Sequence, residues 1–186
     1  WLSAESEDGK LAETELRIQE NRYSEAELSV PLAFAPMMDE YIKSLPKDGS
    51  VKVIPVPVAW NAQYEIFPRT YFALEALGKF DALHMPFWEW VIKEEHDWKD
   101  VEGMNADVTK WFTKNGISES DFTGAVKSFS VVAKSRTAFS TWQSYGVDST
   151  PSVGVAGRWL TAPHLTGTRR ATIETIKFLV DLAKKA

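Results

Sequence analysis

The chain has 186 residues, 44% of them apolar and 12% aromatic, with 26 acids against 21 Lys and Arg and no cysteine. That length suits one domain, or one domain carrying an inserted subdomain, and the apolar content is enough to fill a core. A net charge of −5 without a basic stripe lacks the footprint of a nucleic-acid binder. No apolar run approaches the ~18 residues a membrane span needs, so the chain is not membrane-spanning, and the missing thiols exclude disulfides, thiolate metal sites and cysteine nucleophiles.

Residues 1–28 hold eight acids and three bases, which accounts for the whole net charge. A chain opening at Trp1 with no apolar leader reads as a processed form or a fragment. Segment 1–15 is acidic and poorly periodic, a loose lead-in. Leu16–Tyr23 (LRIQENRY) alternates weakly and is expected to be a first strand. Phe34–Leu45 (FAPMMDEYIKSL) has Pro36 near its start, where a missing N–H costs nothing, and Met37, Tyr41 and Leu45 recur at i, i+4 and i+8. This predicts an amphipathic helix closed by the Lys47-Asp48-Gly49 turn. Val51–Ala59 (VKVIPVPVA) follows as a strand in its first half, with Pro55 and Pro57 pushing the second half to an edge or an extended exit.

The middle reads as helical. Phe67–Leu77 carries Pro68 at its start and Gly78 past its end. Phe80–His96 is expected to kink or restart at Pro86. Asn105 or Asp107 is the candidate cap for a helix through Lys114, and Asn115-Gly116 closes it. Ser118 or Ser120 starts the next helix, and Ser130–Tyr145 forms another. Pro151 opens a β-branched run, Ser152–Val155; on the residues alone it is a trans strand-opener, because cis X–Pro bonds are a minority state. Ala156-Gly157 predicts a hairpin turn. Ala171–Lys185 closes the chain, with Ile173, Ile176, Leu179, Val180 and Ala183 on one face and Lys184 and Lys185 at its negative end. This order predicts an α/β sandwich on a mixed sheet of four or five strands.

The polar clusters carry little chemistry. Glu94-Glu95-His96-Asp97 combines metal-ligating types, yet adjacent helical residues do not face one point, so it reads as a solvated helix end. His84 reads as a packing or surface residue. His164, beside Pro163, reads as a loop residue that borders any groove at the hairpin. No nucleophile stands near these three histidines in sequence, so no triad is expected. Phe87, Trp88, Trp90, Trp98, Trp111 and Phe112 should form a helical core, with Trp88 or Trp90 left to line an apolar face. Trp60 and Trp159, near strand ends, are expected at the sheet's edge.

From Phe34 to about Gly167 the chain resembles the DsbA-like thiol:disulfide interchange proteins of bacterial periplasms. FAPMMDEYIKSLPKD is similar to the helix after that family's active-site turn, and VKVIPVPVAW to its next strand. RTYFALEALGKFDALH resembles the first inserted helices, and FTGAVKSFSV the end of the insertion. RTAFSTWQSYGVDSTPSVGVAGRWLTAPHLTG resembles the cis-proline hairpin. The resemblance implies one thioredoxin-like α/β domain over 1–186: a divergent lead-in and first strand at 1–30, a helical subdomain inserted at 66–144, and the hairpin with the last helix at 145–186. It also implies a periplasmic location and a cis bond at Thr150-Pro151. Thr150, Pro151 and His164 would then border a groove for extended or unfolded polypeptide. A membrane redox partner would follow if the dithiol were present. No cofactor is implied.

The family's Cys-x-x-Cys should fall near Leu28 and Pro31, where this chain reads Leu28-Ser29-Val30-Pro31. A helix N-terminus lowers a thiolate pKa and so drives exchange; an alcohol offers neither that pKa nor a disulfide. Three readings follow. The chain is a homologue that keeps the groove and has lost the redox chemistry, or an active oxidoreductase whose sequence upstream of Pro31 is altered. In the third, it belongs to the glutathione-dependent branch, with Ser29 as the activating hydroxyl.

Overall fold

The computed structural model describes residues 14–20, by their backbone, and residues 37–38 and 40–185. Among these, four strands lie side by side in the order β2-β1-β3-β4: β1 (Thr14–Glu20), β2 (Val51–Pro57), β3 (Val153–Val155) and β4 (Trp159–Thr161). β1 runs antiparallel to β3 with Leu16 opposite Val155 and Ile18 opposite Val153, and β3 runs antiparallel to β4. The first strand thus begins two residues before the expected Leu16. β2 runs through both Pro55 and Pro57, further than expected. Its place at the sheet's edge explains this, since an edge strand has a side with no ladder to lose.

The chain forms two compact units: Trp1–Val56 with Ser140–Ala186, and Pro57–Phe139. In the first, residues 37–38 and 40–44 are helical (α1). Met38 and Tyr41 of α1 share a core with Val153 and Val155 of β3 and with Ile173, Ile176, Leu179, Val180 and Ala183 of the last helix, α8 (Arg169–Lys185). Every residue of the predicted apolar stripe is therefore buried. Burying one Val, Leu or Ile contributes about 1.5–3 kcal/mol, so this stripe and not intrinsic propensity holds α8 on the sheet. Val51 and Val53 of β2 pack on the same cluster.

The hairpin turn lies at Ala156 and Gly157, with φ of 51° and 68°. Three residues, Ala156–Arg158, connect the strands, with Val155 opposite Trp159. The Arg158 N–H donates to the Val155 carbonyl at 3.0 Å across Ala156 and Gly157, and Ala156 bears the steric cost of the first positive φ. Val153 and Val155 point to the α8 side, so Gly154 faces the opposite side of the sheet.

The second unit holds a short 3-10 turn (Ala62–Tyr64) and helices α2 (Ile66–Ala76), α3 (Phe80–Lys93), α4 (Val101–Lys114) and α5 (Glu119–Lys127). α6 (Phe129–Ser144) leads the chain back to the first unit. α3 continues through Pro86 and stops at Lys93, so His96 lies beyond the helix, contrary to expectation. α4 starts six residues before its last expected cap: Asp100 Oδ1 accepts the Gly103 N–H at 2.7 Å, while Asn105 and Asp107 sit inside the helix. Ser118 caps α5 as expected, accepting the Asp121 N–H at 3.1 Å. Leu74, Val108, Phe112 and Phe122 are fully buried, with the Phe112 and Phe122 rings stacked at 4.5 Å.

Candidate functional site

The segment between α6 and β3 turns at Gly146 (φ 64°) and runs through Asp148, Ser149, Thr150 and Pro151 into the sheet. The Thr150–Pro151 peptide bond is cis. Pro151 and Ser152 are buried, and the Ser152 hydroxyl donates to the Ser149 carbonyl at 2.7 Å, which locks the last turn of the loop onto β3. The Thr150 hydroxyl oxygen is buried without a hydrogen-bond partner. Such an unsatisfied group costs about 1–3 kcal/mol, a local weakness at the residue that enters the sheet.

After β4 the chain forms a one-turn helix, α7 (Pro163–Thr166), with Pro163 in its first turn and Gly167 (φ 81°) closing it. The sequence contains no periodic stretch long enough to announce an element this short. Thr166 ties it to α8: its hydroxyl lies 2.7 Å from that of Thr172. His164 stands on this helix and reaches back to the loop. Its Nδ1 is 2.9 Å from the Ser149 hydroxyl, and its Nε2 is 3.6 Å from Asp148 Oδ1. The same carboxylate oxygen accepts from Ser149 at 3.1 Å.

Sequence reasoning missed this grouping, because Ser149 lies 15 residues from His164 and only the hairpin brings them together. Serine, imidazole and carboxylate are the components of an acyl-transfer triad. Here, however, Asp148 contacts the serine directly as well as the ring, and its side chain is 76% exposed, where water competes for it. The arrangement ties a loop to a helix; it does not isolate an activated nucleophile. The sequence-predicted residues Thr150, Pro151 and His164 are thus neighbours in one loop cluster. Leu28, Ser29, Val30 and Pro31 lie outside the described residues.

The other candidates are structural. His84 is buried between rings, stacked on Phe80 at 4.4 Å and edge-on to Tyr71 at 5.3 Å. His96 stacks on Trp98 at 4.2 Å, and its Nε2 lies 3.1 Å from the Trp90 carbonyl. A carbonyl only accepts, so Nε2 carries the proton, and the side chain caps the C-terminal end of α3. Trp98 Nε1 donates to Asp107 at 3.1 Å. Trp88 and Trp90 are half-buried within this ring cluster. Trp159, on the edge strand β4, packs against the α8 core. Among the described residues no group of three or more His, Asp or Glu is placed to hold a metal ion, and no helix is long and apolar enough to cross a membrane.

No protein-family model matches the chain. It is 30% identical over 135 residues to the thiol:disulfide interchange protein DsbA of Bordetella parapertussis, a stretch that covers 73% of this chain and 61% of that protein. The corresponding protein of Burkholderia cepacia is 23% identical over 147 residues, 79% of this chain and 66% of the relative. The chain therefore spans about three fifths of the length of the Bordetella relative. Among solved structures, the crystal structure of Pseudomonas aeruginosa DsbA superposes with a TM-score of 0.75 at 17% identity, covering 93% of this chain and 85% of that one. The oxidoreductase DsbA of Xylella fastidiosa gives 0.73 at 17% identity, covering 94% and 88%. The fold is the thioredoxin-like α/β fold with a helical insertion.

Proposed function

The chain belongs to the DsbA-like thiol:disulfide interchange family of the thioredoxin superfamily, and on that premise we propose that it binds extended or unfolded polypeptide at the Thr150–Pro151 loop without itself exchanging disulfides. The observation that carries this reading is a contrast. Likeness to DsbA extends over 135 residues, yet the chain contains no sulfhydryl at any position. Exchange proceeds by thiolate attack on a disulfide sulfur, and neither participant exists here.

What the fold retains is a surface for backbone recognition. An extended segment laid beside the loop that enters β3 would pair its main chain with the Thr150 backbone, adding a strand in the manner of β-augmentation. Affinity would come from main-chain hydrogen bonds, which are indifferent to side chains and suit unfolded clients. His164 borders the same loop. Family likeness supports a periplasmic setting for this activity. A membrane redox partner would have nothing to oxidise on this chain.

The test is an NMR titration with a cysteine-free extended peptide, run beside an insulin-reduction assay. The expected result is perturbation centred on the amides of Ser149, Thr150, Ser152 and Val153, with no turnover. Turnover of insulin overturns the reading in favour of an active oxidoreductase, and so does the absence of any perturbation at millimolar peptide. Perturbation by millimolar glutathione, and not by peptide, would assign the chain to the glutathione-dependent branch.

A further inference from the structure

We infer that His164 is a positioning residue for the Thr150 loop, acting through the Ser149 hydroxyl and not by touching a bound chain; this rests on the peptide-binding reading above. Apart from the contact with its neighbour Asp148, Ser149 is gripped at two points. Its carbonyl accepts from Ser152 at 2.7 Å, and its hydroxyl sits 2.9 Å from His164 Nδ1. Thr150, the next residue, has a buried hydroxyl with no bond of its own. The orientation of its backbone N–H and C=O, the groups an added strand would use, is therefore inherited from Ser149 on one side and from Pro151 and Ser152 on the other.

The far end of the clasp is firm. α7 is held to α8 by the 2.7 Å contact of Thr166 with Thr172, and the one Thr166 hydroxyl proton is within reach of the carbonyls of Ala162 at 3.2 Å and Thr168 at 3.1 Å. His164 thus connects a braced helix to an otherwise lightly held loop. The hydroxyl–imidazole bond does most of this work. The Asp148 contact is longer, its two partners are largely exposed, and exposed ion pairs contribute little. Holding the loop in its binding geometry before a ligand arrives removes an ordering cost that would otherwise weaken association.

Peptide affinity and amide hydrogen exchange should be measured for the wild type, His164→Ala, Ser149→Ala, the double variant and His164→Asn, whose side-chain amide, able to donate or to accept, takes the place of the Nδ1 edge. Urea midpoints confirm that each variant folds. The expected result is that each alanine variant binds the cysteine-free peptide about threefold to tenfold more weakly, the range of one neutral hydrogen bond. The double variant should be no weaker than either single one, His164→Asn should restore affinity, and amide exchange at Ser149 and Thr150 should quicken in free His164→Ala. A loss in His164→Ala without one in Ser149→Ala would mean that the ring touches the ligand, and would overturn the inference. Unchanged affinity and unchanged exchange in both would overturn it too. If the wild type binds no peptide, the underlying reading fails, while the exchange measurement on the free protein still decides whether the clasp orders the loop.

Discussion

Gly154 carries no side chain because Tyr145 occupies the place where one would stand. A Cβ built there would lie 2.6 Å from Tyr145 Cζ and 2.7 Å from Cε1, far inside van der Waals contact. The ring has little freedom to withdraw, since the Gly157 N–H donates to its hydroxyl at 2.7 Å and so pins the residue to the hairpin turn. Gly154→Ala is expected to cost about 1–3 kcal/mol, the usual penalty for an overpacked site, read as a lower urea midpoint. In a Tyr145→Phe background the ring is released from the turn, and the same added methyl should cost less. Equal penalties in both backgrounds would contradict this account. None of this was visible in the sequence, where Gly154 reads as one more residue of a short strand.

The elements follow local rules, and their ends follow local chemistry. α8 carries its stripe with no interruption, so periodicity alone predicted five of its six buried positions, all but Thr172. α4 is different: of three residues able to cap, Asp100, Asn105 and Asp107, Asp100 wins because its carboxylate meets the Gly103 N–H at 2.7 Å. Asp100→Ala is expected to destabilise the protein by about 0.5–2 kcal/mol, while Asn105→Ala, at a position inside the helix, leaves the cap untouched. Thermal melts of the two variants side by side check this, and a larger shift for Asn105→Ala would contradict it. Pro86 shows the opposite case: the helix does not restart there but continues through it from Phe80 to Lys93. Phe87 and Val91, buried on the same helix, supply packing that outweighs one lost bond.

At the scale of the molecule, the sheet unit is drawn from both ends of the chain, and Tyr41 is where its first and last helices meet electrostatically. Burial, with the Asp181 carboxylate adding to it, pushes the Tyr41 phenol up to about 12 from the ordinary 10. Below pH 10 the phenol is neutral in folded and unfolded chains alike, so its contribution is fully present. Between pH 10 and about 12 the unfolded chain loses this proton first, and stability falls by up to about 1.4 kcal/mol per pH unit. Tyr41→Phe should flatten the decline over that window and no other. Urea unfolding at pH 9, 10, 11 and 12 for both proteins tests it, and parallel curves would show that the phenol ionises equally in both states.

The absence of cysteine is a covalent fact, and it settled without any structure that this member of a dithiol family has no dithiol. Helical stripes, the Ala156-Gly157 turn and prolines bound for an edge were legible for a related reason: each is written within a few consecutive residues, at distances the backbone itself dictates. The partners of His164, the ring lying over Gly154 and the capping of Trp90 by His96 were decided only by tertiary structure. They join residues between six and fifteen positions apart through turns whose exact path no local pattern states.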